Sequence, residues 1–246
     1  MKIHYVGHST LFIETNVKII IDPYLKGKGR EGISKYNPNA SLSVDEVSPD
    51  VILLTHGHGD HFGQTFELLE RTKAKLLASR RVCDFVRKRI GGREQILLRI
   101  EPSERVNIDE TTVLALKAKH KFGLEGFGGD ILGMLAYERY TPCGTNMGFL
   151  ISAEGKKIYH SGDTYIVGDG VHNPDVAFLS MDGFRTLNEK ESIEVIKEIN
   201  ARIVVPIHYR WLGKGRDTVK KVRGMIRHEA IDTSFKEMAY GEVMLL

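Results

Sequence analysis

The residues best suited to chemistry lie in the segment Thr55–His61, which reads THGHGDH. Imidazole nitrogen and carboxylate oxygen are ligands that suit zinc, iron and manganese. In an extended chain His56, His58 and Asp60 project to one side with period two, and His61 follows on the next turn. The two intervening glycines leave room for an ion and let the loop bend. The segment predicts a metal-binding loop, and the alternative is a polar loop whose histidines cap the following helix.

The elements that must hold this loop are predicted on both sides of it. Val51–Thr55 is a compact apolar run, typical of a strand buried on both faces, and Phe62–Arg71 is typical of a helix. Strands that first form meanders and then alternate with helices favour mixed sheets with helices outside, in one domain over residues 1–246. The other predicted strands are Lys2–His8, Leu11–Glu14, Lys18–Asp22, Lys75–Ala78, Ile96–Ile100, Arg105–Ile108, Val113–Lys119, Met147–Ser152, Lys156–His160, Val176–Ser180 and Arg202–Ile207, with helices at Arg81–Ile90, Glu189–Ile199 and Asp217–Arg227 and a loop at Lys121–Thr145.

Composition narrows the class of protein. The 246 residues, 41% of them hydrophobic and 27% charged, suit a folded globular domain. No apolar run is long enough to cross a bilayer, and the N-terminus lacks the apolar core of a signal peptide, so we expect no membrane association. Two cysteines fit a reducing compartment, which predicts a cytoplasmic protein. The net charge of +3 does not indicate a nucleic-acid binder.

Other catalytic motifs are missing from the sequence. It contains no nucleophile-elbow serine and no Gly-Lys-Ser/Thr loop after a strand. The Gly-x-Gly-x-x-Gly string at Gly27–Gly32 lies in a Gly/Lys/Asn-rich loop and does not directly follow a strand, as a dinucleotide-binding turn would. A covalent-serine hydrolase, a dinucleotide enzyme and a P-loop enzyme are therefore disfavoured.

The pattern His-x-His-x-Asp-His after a strand resembles the signature of the metallo-β-lactamase superfamily. Four further segments are similar to the ascorbate-6-phosphate lactonase-like branch of metal-dependent hydrolases: Gly7–Glu14, Ile21–Pro23, His160–Thr164 and Pro206–Tyr209. The resemblance implies an α+β fold, a four-layer αββα sandwich with two mixed β-sheets face to face.

The resemblance also implies two metal sites. His120, Asp163 and His208 each follow a predicted strand, where open sheets gather ligands. The cofactors would be two divalent metal ions, zinc foremost, with manganese or iron as alternatives. His56, His58 and His120 would bind the first ion, Asp60, His61 and His208 the second, and Asp163 would bridge them.

A centre of this kind predicts a metal-dependent hydrolase. A hydroxide bridging the ions would attack a carbonyl or phosphoryl centre, with Asp60 accepting the proton from the bound water. The net positive charge of such a centre suits a small anionic substrate, and the resemblance favours a lactone or a phosphoester. The alternatives are a nuclease or phosphodiesterase of the same superfamily and a di-iron redox protein.

Four residues around the predicted ligands are candidates for supporting roles. Asp22 is either a carboxylate that orients a ligating imidazole or a turn-initiating residue, and His8 is either such a supporting residue or substrate-facing. Arg210 and Lys121 are candidate substrate contacts, because each lies next to a predicted ligand in sequence. They fall in Lys121–Gly126 and Arg210–Lys214, which depart from the branch pattern. The expected partner is a small-molecule substrate rather than nucleic acid or a membrane, and a homo-oligomer is left open.

Overall fold

The structure, a computed structural model, describes residues 1–27, 37, 39–91, 96–119, 143–210 and 213–246, with only the backbone of residues 213 and 214. Within these residues the chain forms two compact units. The first contains Met1–Glu101, residues 143–146 and Ala239–Leu246, and the second contains residues 102–119 and Met147–Met238. The single domain over residues 1–246 stays a prediction.

The first unit is built on a mixed seven-stranded sheet. Its strands, in spatial order, are β14 (Val243–Leu245), β1 (Lys2–Gly7), β2 (Thr10–Glu14), β3 (Lys18–Ile21), β4 (Val51–Leu53), β5 (Lys75–Ala78) and β6 (Leu97–Arg99). Pairing is antiparallel from β14 to β3 and parallel from β3 to β6.

The parallel half of this sheet explains where the histidine segment lies. All of Val51–Leu53 is buried, as expected for a strand covered on both faces. Parallel strands end at the same edge of a sheet, so Asp22 after β3 and the segment after β4 emerge together. The hydrogen bond from Asp22 N to Leu53 O, 2.9 Å long, holds the two strand ends side by side.

In the described part of the first unit three α-helices pack on the sheet: α1 (Gly59–Phe62), α2 (Thr65–Arg71) and α3 (Arg80–Ile90), with a short 3-10 helix at Val44–Glu46. Their apolar side chains, including Phe66 and Val82, join Ile20 and Ile52 of the sheet in one buried cluster. Burial of this apolar face, rather than helix propensity, accounts for most of the stability of such short helices.

The second unit repeats the same order of pairings in another mixed seven-stranded sheet. Pairing is antiparallel from β7 to β10 and parallel from β10 to β13. Its strands, in spatial order, are β13 (Ser234–Phe235), β12 (Ile203–Ile207), β11 (Val176–Ser180), β10 (Lys156–His160), β9 (Met147–Ala153), β8 (Thr111–Lys117) and β7 (Arg105–Ile108).

Two helices, α4 (Glu189–Ile199) and α5 (Gly213–His228), pack on this sheet through Ile193, Ile196 and Val222. Helix α4 begins at a capping box, in which Asn188 accepts from Glu191 N and the Glu191 side chain accepts from Asn188 N.

The predicted elements agree well with those observed. The bounds of Lys75–Ala78, Arg105–Ile108, Lys156–His160, Val176–Ser180 and Glu189–Ile199 are confirmed as predicted, and the expectation of two mixed sheets with helices is confirmed. The predicted helix Phe62–Arg71 is instead two helices, broken at Gly63. No helix in the described part of the chain has the length and apolar character needed to cross a membrane.

Helix α5 begins at Gly213, earlier than the predicted start at Asp217. Two glycines in this first turn weaken the helical signal in the sequence. The fold nevertheless requires one of them, since a Cβ at Gly215 would lie 2.3 Å from Tyr209 O. Most of the predicted loop Lys121–Thr145 lies outside the described residues.

Candidate metal centre

The histidine segment leaves β4 in an extended conformation and then turns into α1. His58 is the N-cap residue of α1, with φ −62° and ψ 148°, so the extended stretch ends there. Asp60 and His61 lie inside the helix, so the predicted period-two projection holds for the two histidines and not for Asp60. Helix α1 is a single turn, and it ends where Gly63 N donates a hydrogen bond to Gly59 O.

His56 and His58 bring two imidazole nitrogens together. His56 Nε2 lies 2.9 Å from His58 Nδ1. Thr55 Oγ1 lies 3.0 Å from His56 Nδ1 and donates its one proton to Asp22 Oδ2 at 2.7 Å. The hydroxyl must therefore accept from His56 Nδ1, which leaves the lone pair of His56 on Nε2.

Asp22 accepts hydrogen bonds from the histidine segment of the first unit. Its carboxylate is fully buried and accepts hydrogen bonds from Thr55 N at 2.8 Å, from Thr55 Oγ1 and from His61 Nδ1 at 2.8 Å. The bond from His61 Nδ1 places that ring's lone pair on Nε2. Asp22 adopts φ +47°, a left-handed conformation that costs about 1–3 kcal/mol in a residue other than glycine. Asp22 has both predicted features: its carboxylate accepts from the His61 ring, and its carbonyl accepts from Tyr24 N at 2.7 Å in a turn.

His8 is the hydrogen-bonding neighbour of Asp60. His8 Nε2 lies 3.1 Å from Asp60 Oδ2, and His8 itself is 4% exposed. Its backbone is also left-handed, with φ +54°, and its carbonyl accepts a bond from Tyr5 OH at 3.0 Å. His8 thus contacts a predicted ligand, and its role, supporting or substrate-facing, stays a prediction.

The donor atoms of the first unit fit a divalent metal ion. Two ligands of one zinc ion, each about 2.0–2.1 Å from a tetrahedral metal, lie roughly 3.3 Å apart. The separation of 2.9 Å between His56 Nε2 and His58 Nδ1 is close to that value. One donor atom each from His8, Asp60 and His61 also lie within 4.8 Å of one another. Neutral imidazoles and carboxylates in this arrangement are suitable ligands for zinc, manganese or iron.

The second unit brings Asp163 and His208 together. Asp163 lies in the turn after β10 and His208 directly follows β12, and both are buried. His208 Nε2 lies 3.3 Å from Asp163 Oδ2, again the spacing of two ligands of one ion. His208 has φ +59°, so the chain is held in a strained conformation where this side chain leaves the strand.

Asp182 is a residue of this site that the sequence analysis missed. It follows β11, is 3% exposed, and its Oδ2 lies 3.7 Å from His208 Nδ1. The signal was available, since an acidic residue just beyond a buried strand is the same feature that marked Asp22. Thr55 is a second residue that was not predicted from the sequence: its hydroxyl contacts His56 Nδ1 and Asp22, although Thr55 begins the histidine segment.

His120 and Lys121 lie outside the described residues. Lys119, directly before His120, is held against the Asp163 turn: Lys119 N donates to Thr164 Oγ1 at 3.1 Å, and Tyr165 N donates to Lys119 O at 3.0 Å. Lys119, the last described residue before His120, is thus fixed next to the turn that contains Asp163.

Arg210 is half-buried and held by its own unit. Its Nε donates to Tyr209 OH at 3.0 Å and one Nη donates to Met238 O at 2.8 Å. These two hydrogen bonds fix the guanidinium of Arg210, which is two residues after His208 in the sequence.

The chain matches a known family of proteins over most of its length. Residues 2–208 match the family described as the Beta-lactamase superfamily domain, and the chain belongs to it. The two mixed seven-stranded sheets flanked by helices are a metallo-β-lactamase-like fold. Igni18, described as a novel metallo hydrolase from the hyperthermophilic archaeon Ignicoccus hospitalis, shares the fold with a TM-score of 0.75 and 22% identity, over 99% of this chain and 97% of that one.

Within that class the chain belongs to the UPF0173 metal-dependent hydrolase family. The Thermococcus kodakarensis member is 31% identical over 217 residues, which cover 85% of this chain and 84% of the relative. The Geobacillus thermodenitrificans member is 35% identical over 215 residues, 85% of each chain.

Proposed function

We propose that this protein is a hydrolase that uses two divalent metal ions, zinc foremost, bound by the ligand set that the sequence resemblance implies. Family membership supports hydrolysis and metal dependence. The observation that carries the ligand set is the spacing of donor pairs: 2.9 Å between His56 and His58 in the first unit and 3.3 Å between Asp163 and His208 in the second. The full set is His56, His58 and His120 for one ion, Asp60, His61 and His208 for the other, with Asp163 bridging.

Divalent ions supply Lewis acidity and lower the pKa of water at such a centre. The chain's own residues hold the ligands ready for that chemistry. Asp22 and Thr55 fix the rings of His56 and His61 with their Nε2 lone pairs available. Because these supports are buried, little reorganisation is needed when a substrate arrives.

Asp60 is the proposed proton acceptor. Its side chain is 38% exposed, so water reaches it, whereas Asp22 is fully buried. The hydrogen bond between Asp60 Oδ2 and His8 Nε2 fixes the orientation of the carboxylate. A carboxylate that is both exposed and oriented is suited to take a proton from the attacking water.

The proposed substrate is a small anionic lactone or phosphoester, in keeping with the similarity to the ascorbate-6-phosphate lactonase-like branch. Arg210 and Lys121 are the proposed contacts to its anionic group. The bonds from Arg210 to Tyr209 and Met238 reduce the entropy lost on binding, because the guanidinium is already ordered.

The ligand set is tested by the metal content of single variants, one from each unit. Elemental analysis after gel filtration in zinc should find two ions per chain in the wild type. Asp163→Ala should lose both ions because a bridging carboxylate serves both, while His56→Ala should lose one. Asp45→Ala, at an exposed carboxylate, is the control and should keep two. Retention of two ions by Asp163→Ala would rule out the bridging role.

The reaction class is tested by an activity panel on the zinc-loaded protein, covering lactones, phosphodiesters and thioesters. Loss of a charge-assisted contact costs about 1.5–3 kcal/mol, so Arg210→Ala should lower kcat/KM roughly 10- to 100-fold on an anionic substrate and leave a neutral analogue unaffected. The exposed Arg216→Ala is the matched control. Equal losses of kcat/KM on the anionic substrate and the neutral analogue would show that Arg210 does not bind the anionic group. Oligonucleotide cleavage, or visible absorption from bound iron, would instead favour the nuclease or the di-iron alternative.

A further inference from the structure

His208 lies between two carboxylates of its own unit. Its Nε2 is 3.3 Å from Asp163 Oδ2, and its Nδ1 is 3.7 Å from Asp182 Oδ2. All three side chains are at least nine-tenths buried, so solvent screens these interactions weakly. The carboxylates of Asp163 and Asp182 therefore act on opposite nitrogens of the His208 ring.

The carboxylate of Asp182 is held rigidly. Its Oδ1 accepts three backbone hydrogen bonds, from Phe184 N at 2.8 Å, Arg185 N at 2.8 Å and Thr186 N at 3.0 Å. The backbone of Asp182 is fixed as well, since its N–H donates to Thr186 Oγ1 at 2.9 Å. With Oδ1 committed to the turn, Oδ2 is the oxygen directed at His208.

We propose that Asp182 is a positioning residue that keeps the proton of His208 on Nδ1, so that the Nε2 lone pair is available to a metal ion beside Asp163. The inference rests on the proposed function, in which His208 is a ligand. The distance of 3.7 Å exceeds a hydrogen bond, so Asp182 acts on the Nδ1 proton through the negative charge of its carboxylate. The first unit shows the same relation already formed, with Asp22 accepting from His61 Nδ1 at 2.8 Å.

The substitution Asp182→Asn distinguishes the positioning of His208 from the support that Asp182 gives to the backbone turn at residues 182–186. Three backbone N–H groups converge on Oδ1, so an asparagine at this position must place its carbonyl oxygen there. Its NH2 group then takes the place of Oδ2 and faces His208 Nδ1. A donor at that point makes Nδ1 the acceptor and moves the ring proton to Nε2, where it blocks metal binding. The turn is kept and the tautomer is reversed.

The experiment measures zinc affinity by chelator competition on the full-length protein, and the His208 tautomer by two-bond 1H–15N correlation NMR with labelled histidine. Loss of an outer carboxylate partner typically weakens metal binding 10- to 100-fold, and we expect a loss of that size in Asp182→Asn. Its His208 ring should change from the Nδ1–H to the Nε2–H form. The control is Asp175→Asn, at a carboxylate that accepts from Lys157 N and contacts no histidine in the described part of the chain. It should match the wild type in both measurements.

A His208→Ala background distinguishes this inference from the ligand set on which it rests. Asp182→Asn should have no further effect on zinc affinity once His208 is absent. An equal loss in both backgrounds, or an unchanged tautomer in Asp182→Asn, would overturn the positioning role while leaving the ligand set standing. Full zinc affinity in His208→Ala alone would overturn the ligand set, and this inference with it.

Discussion

Gly63, which ends α1 directly after the histidine segment, should not tolerate a side chain. Its φ is +46°, and a Cβ built there would lie 2.1 Å from Pro23 O, 2.5 Å from Pro23 C and 2.7 Å from Tyr24 Cα. All three atoms belong to the backbone and cannot rotate away. Pro23 O also accepts a hydrogen bond from Gln64 N at 2.9 Å, so moving that carbonyl breaks a bond that fixes the loop.

The cost of Gly63→Ala has two parts. The backbone of Gly63, with φ +46° and ψ −127°, lies in a region that residues with a Cβ rarely adopt, and this contributes about 1–3 kcal/mol. The overlap with Pro23 and Tyr24 adds about 1–3 kcal/mol, the usual range for overpacking. The sum of about 2–6 kcal/mol is a large fraction of the stability of a typical domain.

The matched control is Gly91→Ala, because Gly91 follows α3 with φ +47° and a Cβ there meets no atom within 4 Å. Gly91, with ψ 97°, also lies in a sparsely populated region, so its substitution carries a conformational cost of the same order, about 1–3 kcal/mol, without the overlap. Urea unfolding followed by circular dichroism should show Gly63→Ala less stable than Gly91→Ala by about 1–3 kcal/mol. Equal losses in the two variants would show that the close approach to Pro23 carries no energy, and would refute the reasoning.

Three other perturbations follow from the same structure. Asp22→Asn has one acceptor oxygen in place of two, so the free energy of unfolding should fall by about 1.5–3 kcal/mol. Zinc should also bind more weakly, because the His61 ring is no longer held in place. Wild-type stability and wild-type zinc affinity would contradict this prediction. Burial raises the pKa of the Cys83 thiol to about 11. Iodoacetamide at pH 8 should therefore modify Cys83 at least ~100-fold more slowly than the half-buried Cys143. Equal labelling of the two cysteines, measured by mass spectrometry, would contradict this prediction. The hydrogen bond from His4 holds the pKa of the Glu14 carboxyl below its usual 4.5, so the pair stabilises the fold above that pH and the stabilisation is lost as pH falls through the lowered pKa. The stability difference between wild type and Glu14→Gln, below about 1 kcal/mol, should shrink from pH ~6 to pH ~4, and a constant difference would exclude the pair as its source.

The sequence by itself determined the elements and the nature of the chemistry. Val51–Leu53 is apolar at every position, and such a run is stable only when both faces of a strand are covered. Glu189–Ile199 was predicted with its observed bounds, because its apolar residues recur with helical period. The histidine segment predicted a metal-binding loop, because the residue types and their spacing are local properties of the chain.

Contacts between distant residues were decided only by the tertiary structure. Asp22 is separated from His61 by 39 positions, and nothing local distinguishes a carboxylate that orients an imidazole from one that begins a turn. The parallel pairing of β3 with β4 brings the two together, because parallel strands end at one edge. Asp182 reaches His208 by the same route, through the pairing of β11 with β12. Sheet register is set by long-range packing of side chains on both faces, and that information is spread over the whole chain.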